Sequence, residues 1–342
     1  MPDHRITLTY DPDETLIDRV LATLPDRAIE IIRALPVDEL PGALPGTTIL
    51  FGNHLAPPLL QHAGDLRWIQ TVGAGVDGLL SAELAATDIV VTNTSGGFGV
   101  QMAEHALALM FALARRLPGA MRSQAARRYE PEPQDELFEL THKTLGIVGF
   151  GDVGQALARR ARGIGMRVIA LRRHAHGSPG AQMTIPSLPL DPLANAEDPA
   201  ALADQILGPD RLHDLLQDSN IVVNIVPLTP TTSHLFGPKQ FAQMRPDSCF
   251  INLGRGKSVD QDALIDALRG GVIAAAGLDV TTPEPLPADS PLWALPNVII
   301  TAHYAGWSDT MLERIYAIFL DNLVRFDRGE RLRNIVDVRA GY

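Results

Sequence analysis

The sequence predicts an α/β protein made of two doubly wound parallel-sheet units, and three observations carry that reading. Short β-rich runs alternate with segments of helical apolar spacing over residues 1 to about 100, and a second such series starts at Thr144. Alternation of this kind builds a parallel sheet with helices on both faces. The 342 residues suffice for two domains of ordinary size, and 46% hydrophobic against 20% charged residues can fill both cores.

In the first series the strand candidates are Arg5–Tyr10, Ala28–Arg33, Thr47–Asn53, Trp68–Val72 and Ile89–Thr94. Glu14–Leu24 and Leu79–Ala86 carry apolar residues at helical spacing between them. A long helix is expected from Val100 to Arg116, with Met102, Ala106, Leu109, Met110 and Leu113 on one stripe. Residues 117–143 are polar and contain Pro118, Pro131 and Pro133, which reads as an arm or connector rather than core. The second series offers Leu145–Phe150, Arg167–Leu171, Ile221–Pro227, Cys249–Leu253, Ala274–Val280 and Val298–Thr301 as strands. Between Arg173 and Arg211 a proline-bearing stretch reads as a surface insertion, and a last helix is expected from Asp309 to Gly329.

The second series opens on its most informative stretch, Thr144 to Arg159. An apolar run is followed by Gly149-x-Gly151-x-x-Gly154 and then by an alanine-rich helical segment. Strand, glycine turn and helix start in that order form the context of a dinucleotide fingerprint. Gly149 permits the tight turn, Gly151 lets the backbone approach a pyrophosphate, and Gly154 lets the helix pack on its strand. A glycine-rich turn without a ligand is the plainer alternative.

The second strand of such a unit commonly ends in an acid about 20 residues after the first glycine, where it accepts bonds from a ribose 2′-OH. Here Arg167–Leu171 ends at Arg172-Arg173, with Arg172 at 172 − 149 = 23 positions and no acid nearby. Guanidinium groups suit a 2′-phosphate, so Arg172 and Arg173 favour NADP over NAD; two solvated surface charges are the other reading. Three further strand ends carry candidate chemistry: Arg255 in Phe250–Gly256, Asp279 and Glu284 in Gly277–Leu286, and His303 in Val298–Gly306. Carboxyl ends of parallel strands are where ligands gather. Together they suggest an anion clamp, a proton donor and a carboxylate that orients it, although each alone has an ordinary structural reading.

The net charge of −11 disfavours nucleic acid and anionic membranes as partners. The single Cys249 excludes an internal disulfide and reads as a core residue, and no cysteine pattern for a metal is present. Met1-Pro-Asp-His-Arg lacks the regions of a signal peptide and no apolar run is of membrane-spanning length, so a soluble cytoplasmic protein is expected.

These motifs occur in the order found in the D-isomer-specific 2-hydroxyacid dehydrogenases, which the chain resembles over nearly its whole length. The resemblance rests on Gln70–Asp77, Val91–Thr94, Ala103–Met110, Lys143–Gly154, Pro227–Thr232 and Asn252–Gly256. It continues through Leu278–Val280, Glu284–Leu286, Thr301–His303 and Leu332–Asp337. It implies a Rossmann cofactor domain (102–306) inserted into a flavodoxin-like substrate domain (1–101 with 307–342). It also implies roles. His303 would exchange a proton with the carbonyl oxygen, Glu284 would hold the imidazole, and Arg255 would clamp the carboxylate and polarise the carbonyl. Substrate contacts would come from the Ala74 and Gly75 N–H groups with Arg255 and His303. Beyond Gly149, Gly151, Gly154, Arg172 and Arg173, cofactor contacts would come from Asp152, Val153, Pro227, Thr232, Leu253, Gly254, Arg255, Asp279, His303 and Gly306.

The implied activity is NADP-preferring reduction of small 2-oxo acids such as glyoxylate or hydroxypyruvate to D-2-hydroxy acids, by a homodimer. A phosphite dehydrogenase keeps the same three groups and stays open, as does a dinucleotide-sensing corepressor; a formate dehydrogenase would carry Gln at Glu284. Ala302 stands where the family commonly has proline, and His142 precedes Lys143 in place of the usual glycine. The 174–211 insertion is longer than the family pattern and would cover the adenosine end of the cofactor. Tyr304 and Trp307 could wall a substrate pocket or simply pack, and Asn53 and His54 could face a ligand or merely end a loop.

Overall fold

The computed structural model describes residues 2–10, 15–173, 191–194 and 199–341. They form two compact units: residues up to Gly97 with the C-terminal segment from Asp309, and the described residues from Phe98 to Ser308.

In the first unit β1 (His4–Leu8), β2 (Ile29–Arg33), β3 (Ile49–Phe51), β4 (Trp68–Gln70) and β5 (Val90–Thr92) form one parallel sheet in the order β2-β1-β3-β4-β5. That order is the flavodoxin-like one. Leu40, Leu44, Leu50, Ile69, Val76 and Val91 pack in one core cluster of this unit. Phe51 and Trp68 stack instead with Phe319 of the C-terminal helix Met311–Asp327, at centroid separations of 4.5 and 5.5 Å. Phe326 lies 5.3 Å from Trp68, so four aromatic rings weld the distant C-terminus to the sheet. At the end of that helix Asp327 takes His4 Nε2 at 3.0 Å and Arg27 Nε at 2.7 Å.

One expected helix of this unit is absent. Leu79–Ala86 forms two separate turns, the second a short 3-10 helix at Leu84–Ala86. The Ser81 hydroxyl accepts the Leu84 N–H at 3.1 Å and so diverts a donor that a continuous helix would use. Leu79 and Leu84 are both buried, and this produced the helical spacing without the helix.

The second unit holds β6 (Thr144–Val148), β7 (Arg167–Leu171), β8 (Gln205–Leu207), β9 (Ile221–Asn224), β10 (Cys249–Asn252), β11 (Ala275–Leu278) and β12 (Val298–Ile300). All pair in parallel in the order β12-β11-β10-β9-β6-β7-β8, so the strand order reverses beside β6, where dinucleotides bind in such sheets. Alternate residues feed opposite faces. Ile221, Val223, Cys249 and Ile251 join the core under the helices Gly99–Ala114 and Asp152–Gly163. Val222 and Phe250 join the core under Leu212–Asp218, Pro238–Gln243 and Gln261–Arg269.

Two expectations fail here. The stretch between Arg173 and Arg211 is not wholly a surface insertion, because β8 lies inside it and Leu202 is buried. The Asp204 carboxylate accepts the Val168 N–H at 2.8 Å and the Asp204 N–H donates to the Val168 carbonyl at 2.8 Å, which docks the start of β8 on β7. β8 has no fully buried residue, unlike the buried runs of β3 and β4, so it offered no apolar run to read. The notion that the stretch covers the adenosine end concerns mainly 174–190 and 195–198, which lie outside the described residues. Nor is 117–143 only a connector: it holds the helix Leu117–Ala125, buries Leu140, and packs Phe138 against the core. Cys249 is buried in β10, where burial pushes its thiol up to about 12 and leaves it inert at neutral pH. Among the described residues no helix is long and apolar enough to cross a membrane.

Candidate active site

β6 delivers the chain into the glycine turn, where close packing explains Gly149 and Gly154. Gly149 has φ 109°, and a Cβ there would lie 2.8 Å from the Ile225 carbonyl, so both its conformation and its surroundings exclude a side chain. A Cβ on Gly154 would lie 2.4 Å from the Gly149 carbonyl oxygen, whereas around Gly151 nothing lies within 4 Å. The turn is closed towards the sheet and open at Gly151, the shape a pyrophosphate cradle needs. Asp152, Val153 and Gly154 start the helix Asp152–Gly163, whose first-turn N–H groups have no acceptor within the helix. Val153 and Gly154 are buried, so backbone is what they can offer there. Gly254 meets the same neighbours as Gly149: its Cβ would lie 2.8 Å from the Val226 carbonyl oxygen. The ends of β6, β9 and β10 therefore converge on Ile225 and Val226, bringing Gly149, Pro227, Leu253 and Gly254 to one rim.

Around that rim the other expected residues take their places. Arg172, half-buried, and Arg173, exposed, directly follow β7, and the Arg172 N–H prolongs the ladder to the Leu207 carbonyl at 3.0 Å. Thr232 closes the loop after β9: its hydroxyl donates to the Pro227 carbonyl at 2.6 Å and accepts from the Thr229 N–H at 2.8 Å. Arg255 is set by a buried polar network. Its carbonyl accepts from Asn252 Nδ2 at 3.1 Å and Ser258 Oγ at 2.6 Å, and Asn224 Nδ2 donates to both Asn252 Oδ1 and Ser258 Oγ. The Arg255 Nη1 donates to the Gly254 carbonyl at 2.9 Å.

His303 and Glu284 meet directly, with Nδ1 and Oε2 2.9 Å apart and both side chains partly open to solvent. The other Glu284 oxygen accepts the Thr281 N–H at 2.9 Å, which fixes the carboxylate. His303 has φ 53°, an unfavourable conformation for a residue with a Cβ, and Asp279 holds it there. The Asp279 carbonyl accepts the His303 N–H at 2.8 Å. Its carboxylate, 3% exposed, accepts from Thr301 Oγ1 at 2.6 Å, Tyr304 N at 3.1 Å and Ala305 N at 3.0 Å. What the structure displays for Asp279 is the shaping of the turn that carries the histidine. Gly306 follows that turn, and its carbonyl accepts from Gln101 Nε2 at 3.1 Å. Tyr304 and Trp307 are exposed. Ala74 and Gly75 belong to the first unit, in the turn that follows β4.

Several residues around the site were given no role by the sequence. His105, on the helix Gly99–Ala114, places Nε2 3.0 Å from Thr301 Oγ1 and stacks edge-on with Tyr304 at 5.5 Å. Burial lowers its pKa, against the pull of Asp279. Asn224, Asn252 and Ser258 act only through backbone they hold, and only the polar ends of otherwise apolar strands could have marked the two asparagines. Among the described residues no cluster of three or more His, Cys, Asp or Glu side chains could hold a metal ion.

Residues 107–305 match the family model for the D-isomer specific 2-hydroxyacid dehydrogenase, NAD binding domain. A glyoxylate/hydroxypyruvate reductase B from Escherichia fergusonii is 36% identical over 282 residues, covering 82% of this chain and 80% of the relative. A D-isomer specific 2-hydroxyacid dehydrogenase family protein from Aeromonas salmonicida superposes with a TM-score of 0.80 at 31% identity, over 98% of this chain and 99% of that one. A 2-hydroxyacid dehydrogenase from Xanthobacter autotrophicus, solved with NADPH and MES, gives 0.79 at 28% identity over 99% of both chains. The chain therefore belongs to the D-isomer-specific 2-hydroxyacid dehydrogenase family.

Proposed function

We propose that the protein is an NADP-preferring reductase of small 2-oxo acids, glyoxylate and hydroxypyruvate foremost, yielding D-2-hydroxy acids. The observation that carries the reading is the 2.9 Å contact of His303 Nδ1 with a Glu284 carboxylate that is itself pinned by the Thr281 N–H. A carboxylate on Nδ1 keeps the proton there, so Nε2 is the position that gives a proton to the substrate oxygen and later recovers it. Arg255, its backbone fixed by Asn252 and Ser258, polarises the carbonyl and binds the carboxylate. Ala74 and Gly75 offer backbone N–H groups to the carboxylate.

The cradle at Gly149, Gly151 and Gly154 fits a dinucleotide, and Arg172 and Arg173 suit its 2′-phosphate. When bound, the reduced nicotinamide supplies the hydride that the carbonyl carbon receives. The relative from Xanthobacter autotrophicus holding NADPH supports that choice of cofactor. Asp152, Val153, Pro227, Thr232, Leu253, Gly254, Asp279 and Gly306 would line the rest of its site. In this reading the first unit is the substrate domain and the second the cofactor domain. The protein pairs as a homodimer through the exposed apolar residues Phe111, Leu117, Met121 and Tyr129; light scattering giving a monomer mass would refute that pairing.

The deciding experiment follows NADPH oxidation by absorbance with a panel of 2-oxo acids. Turnover of glyoxylate or hydroxypyruvate, faster with NADPH than with NADH, is expected. Tight NADPH binding with no turnover across the panel would overturn the reading.

A further inference from the structure

We propose that Asn53 and Asn93 are positioning residues for the substrate carboxylate: they lock the turn Val72–Gly75 so that the Ala74 and Gly75 N–H groups remain to bind it. The proposal rests on the reading of the protein as a 2-oxo acid reductase and adds what aims the backbone donors.

The other N–H groups of the turn, and the carbonyls of Gly73 and Ala74, are committed. Asn53 Oδ1 accepts two successive N–H groups, from Val72 at 2.9 Å and Gly73 at 3.2 Å. The Gly73 carbonyl accepts from Thr71 Oγ1 at 2.8 Å and from the Thr94 N–H at 3.2 Å. The Ala74 carbonyl accepts from Asn93 Nδ2 at 2.9 Å. Among the described residues, neither the Ala74 nor the Gly75 N–H donates to the protein. Two adjacent N–H groups, with the Gly73 and Ala74 carbonyls of the same peptide units held by other donors, form a seat for an anion with two oxygens.

Both asparagines are themselves anchored. Asn53 follows Gly52, where a Cβ would lie 1.7 Å from Thr9 Oγ1, so only glycine lets the chain leave β3 along this path. Asn93 exchanges backbone bonds with Asn334, giving its N–H to the Asn334 carbonyl and taking Asn334 Nδ2 on its own carbonyl, each at 3.1 Å. Its Oδ1 accepts the Ser95 N–H at 3.0 Å, and Asn334 Nδ2 also reaches the Ser95 carbonyl at 2.8 Å. The fully buried Asn322 holds the approach to Asn334, accepting the Arg333 N–H at 2.8 Å and donating to Gln70 Oε1 at 3.1 Å. The C-terminal stretch Leu332–Asp337, for which a catalytic reading has no use, therefore acts as the brace of the carboxylate turn. A satisfied polar network of this kind specifies one geometry, and losing one member leaves donors unpaired.

Two variants separate positioning from bulk stability. Asn53→Leu removes the acceptor of two N–H groups, and Asn93→Asp keeps the shape and the bond to Ser95 while removing the donor to Ala74. Each should raise KM for glyoxylate roughly tenfold with kcat changed by less than about threefold, as expected for a lost hydrogen bond that orients binding. The Kd for NADPH, read by fluorescence titration, should not change. Amide exchange with oxalate as probe reads the turn without turnover. In the wild type, Val72 and Gly73 should be protected throughout and Ala74 and Gly75 only with oxalate. In Asn53→Leu all four should exchange faster.

KM within about twofold of wild type in both variants would overturn the positioning role while leaving the reductase reading intact. A wild type inert to every 2-oxo acid, yet protected by oxalate at Ala74 and Gly75 and unprotected in Asn53→Leu, would sink the reductase reading and uphold the turn. Oxalate that protects neither amide in the wild type would overturn the carboxylate seat.

Discussion

The two units use the same parallel α/β construction, yet they place their reactive groups differently. In the proposed reading the second unit's chemistry stands on side chains that follow strands, with Arg255 after β10, Glu284 after β11 and His303 after β12. In the same reading the first unit contributes main-chain N–H donors at Ala74 and Gly75, in a turn held by the amides and hydroxyls around it. Side-chain chemistry can be abolished by one substitution with the fold unharmed, because the reacting atoms leave with the side chain. Backbone chemistry cannot be deleted, only misaimed, so the first unit should answer to mutation in binding and stability and the second in rate.

The contrast is sharpest at His303. His303→Ala should lower kcat by about 10²- to 10⁴-fold, the range for losing a positioned general acid, while NADPH binding by fluorescence titration stays near wild type. Turnover within a few-fold of wild type would remove the proton-donor assignment. The matching stability test lies in the first unit. Phe319 is fully buried against Phe51 and Trp68, and Phe319→Ala should cost about 3–5 kcal/mol, read as a lower urea midpoint. An unchanged midpoint would mean that the C-terminal helix does not weld the split chain together.

Arg172→Asp tests the second unit again with a smaller effect. Replacing a guanidinium with a carboxylate beside a 2′-phosphate should raise KM for NADPH at least about tenfold and leave KM for NADH unchanged or lower. An unaltered NADPH/NADH ratio would return Arg172 and Arg173 to ordinary surface charges.

The same difference decides what could be read from the sequence. That Gly149, Gly151 and Gly154 follow β6, and that Arg255, Glu284 and His303 follow β10, β11 and β12, is legible because the strands are apolar runs and these residues lie just beyond them. The five strands of the first unit were equally plain. What escaped detection was polar and local, or set by distant contacts. Ser81 cut an expected helix by accepting one N–H. β8 is three residues long and is docked through Asp204 rather than by an apolar pattern. Asn53 showed only as a polar residue at a loop end, since its partners Val72 and Gly73 lie some twenty positions on, across the sheet. Asn93 and Asn334 are brought together from opposite ends of the chain. No periodicity encodes such pairs.

His105 yields the smallest effect and the one most easily separated by pH. Thr301 has one hydroxyl proton and gives it to Asp279 Oδ1 at 2.6 Å, so at the 3.0 Å contact the imidazole must be the donor, with its proton on Nε2. Burial lowers its pKa from the ordinary value of 6.5, and Asp279, 3.9 Å away, only partly opposes this. The unfolded chain therefore binds a proton at a pH where the folded chain does not. The resulting stability is fully present above about pH 6.5 and is lost as pH falls from there through the lower folded value. Urea midpoints should accordingly decline between about pH 7.5 and about pH 5.5 in the wild type and less in His105→Gln, which keeps an N–H donor for Thr301 but cannot titrate. Asp191, Asp204, Asp247, Asp321 and Asp327 all have pKa values lowered from 3.8, so the stability they contribute is lost only at more acidic pH and cannot mimic the effect. If His105→Gln keeps the whole wild-type decline, the imidazole is not its source, and the floor beneath the catalytic turn is insensitive to protonation.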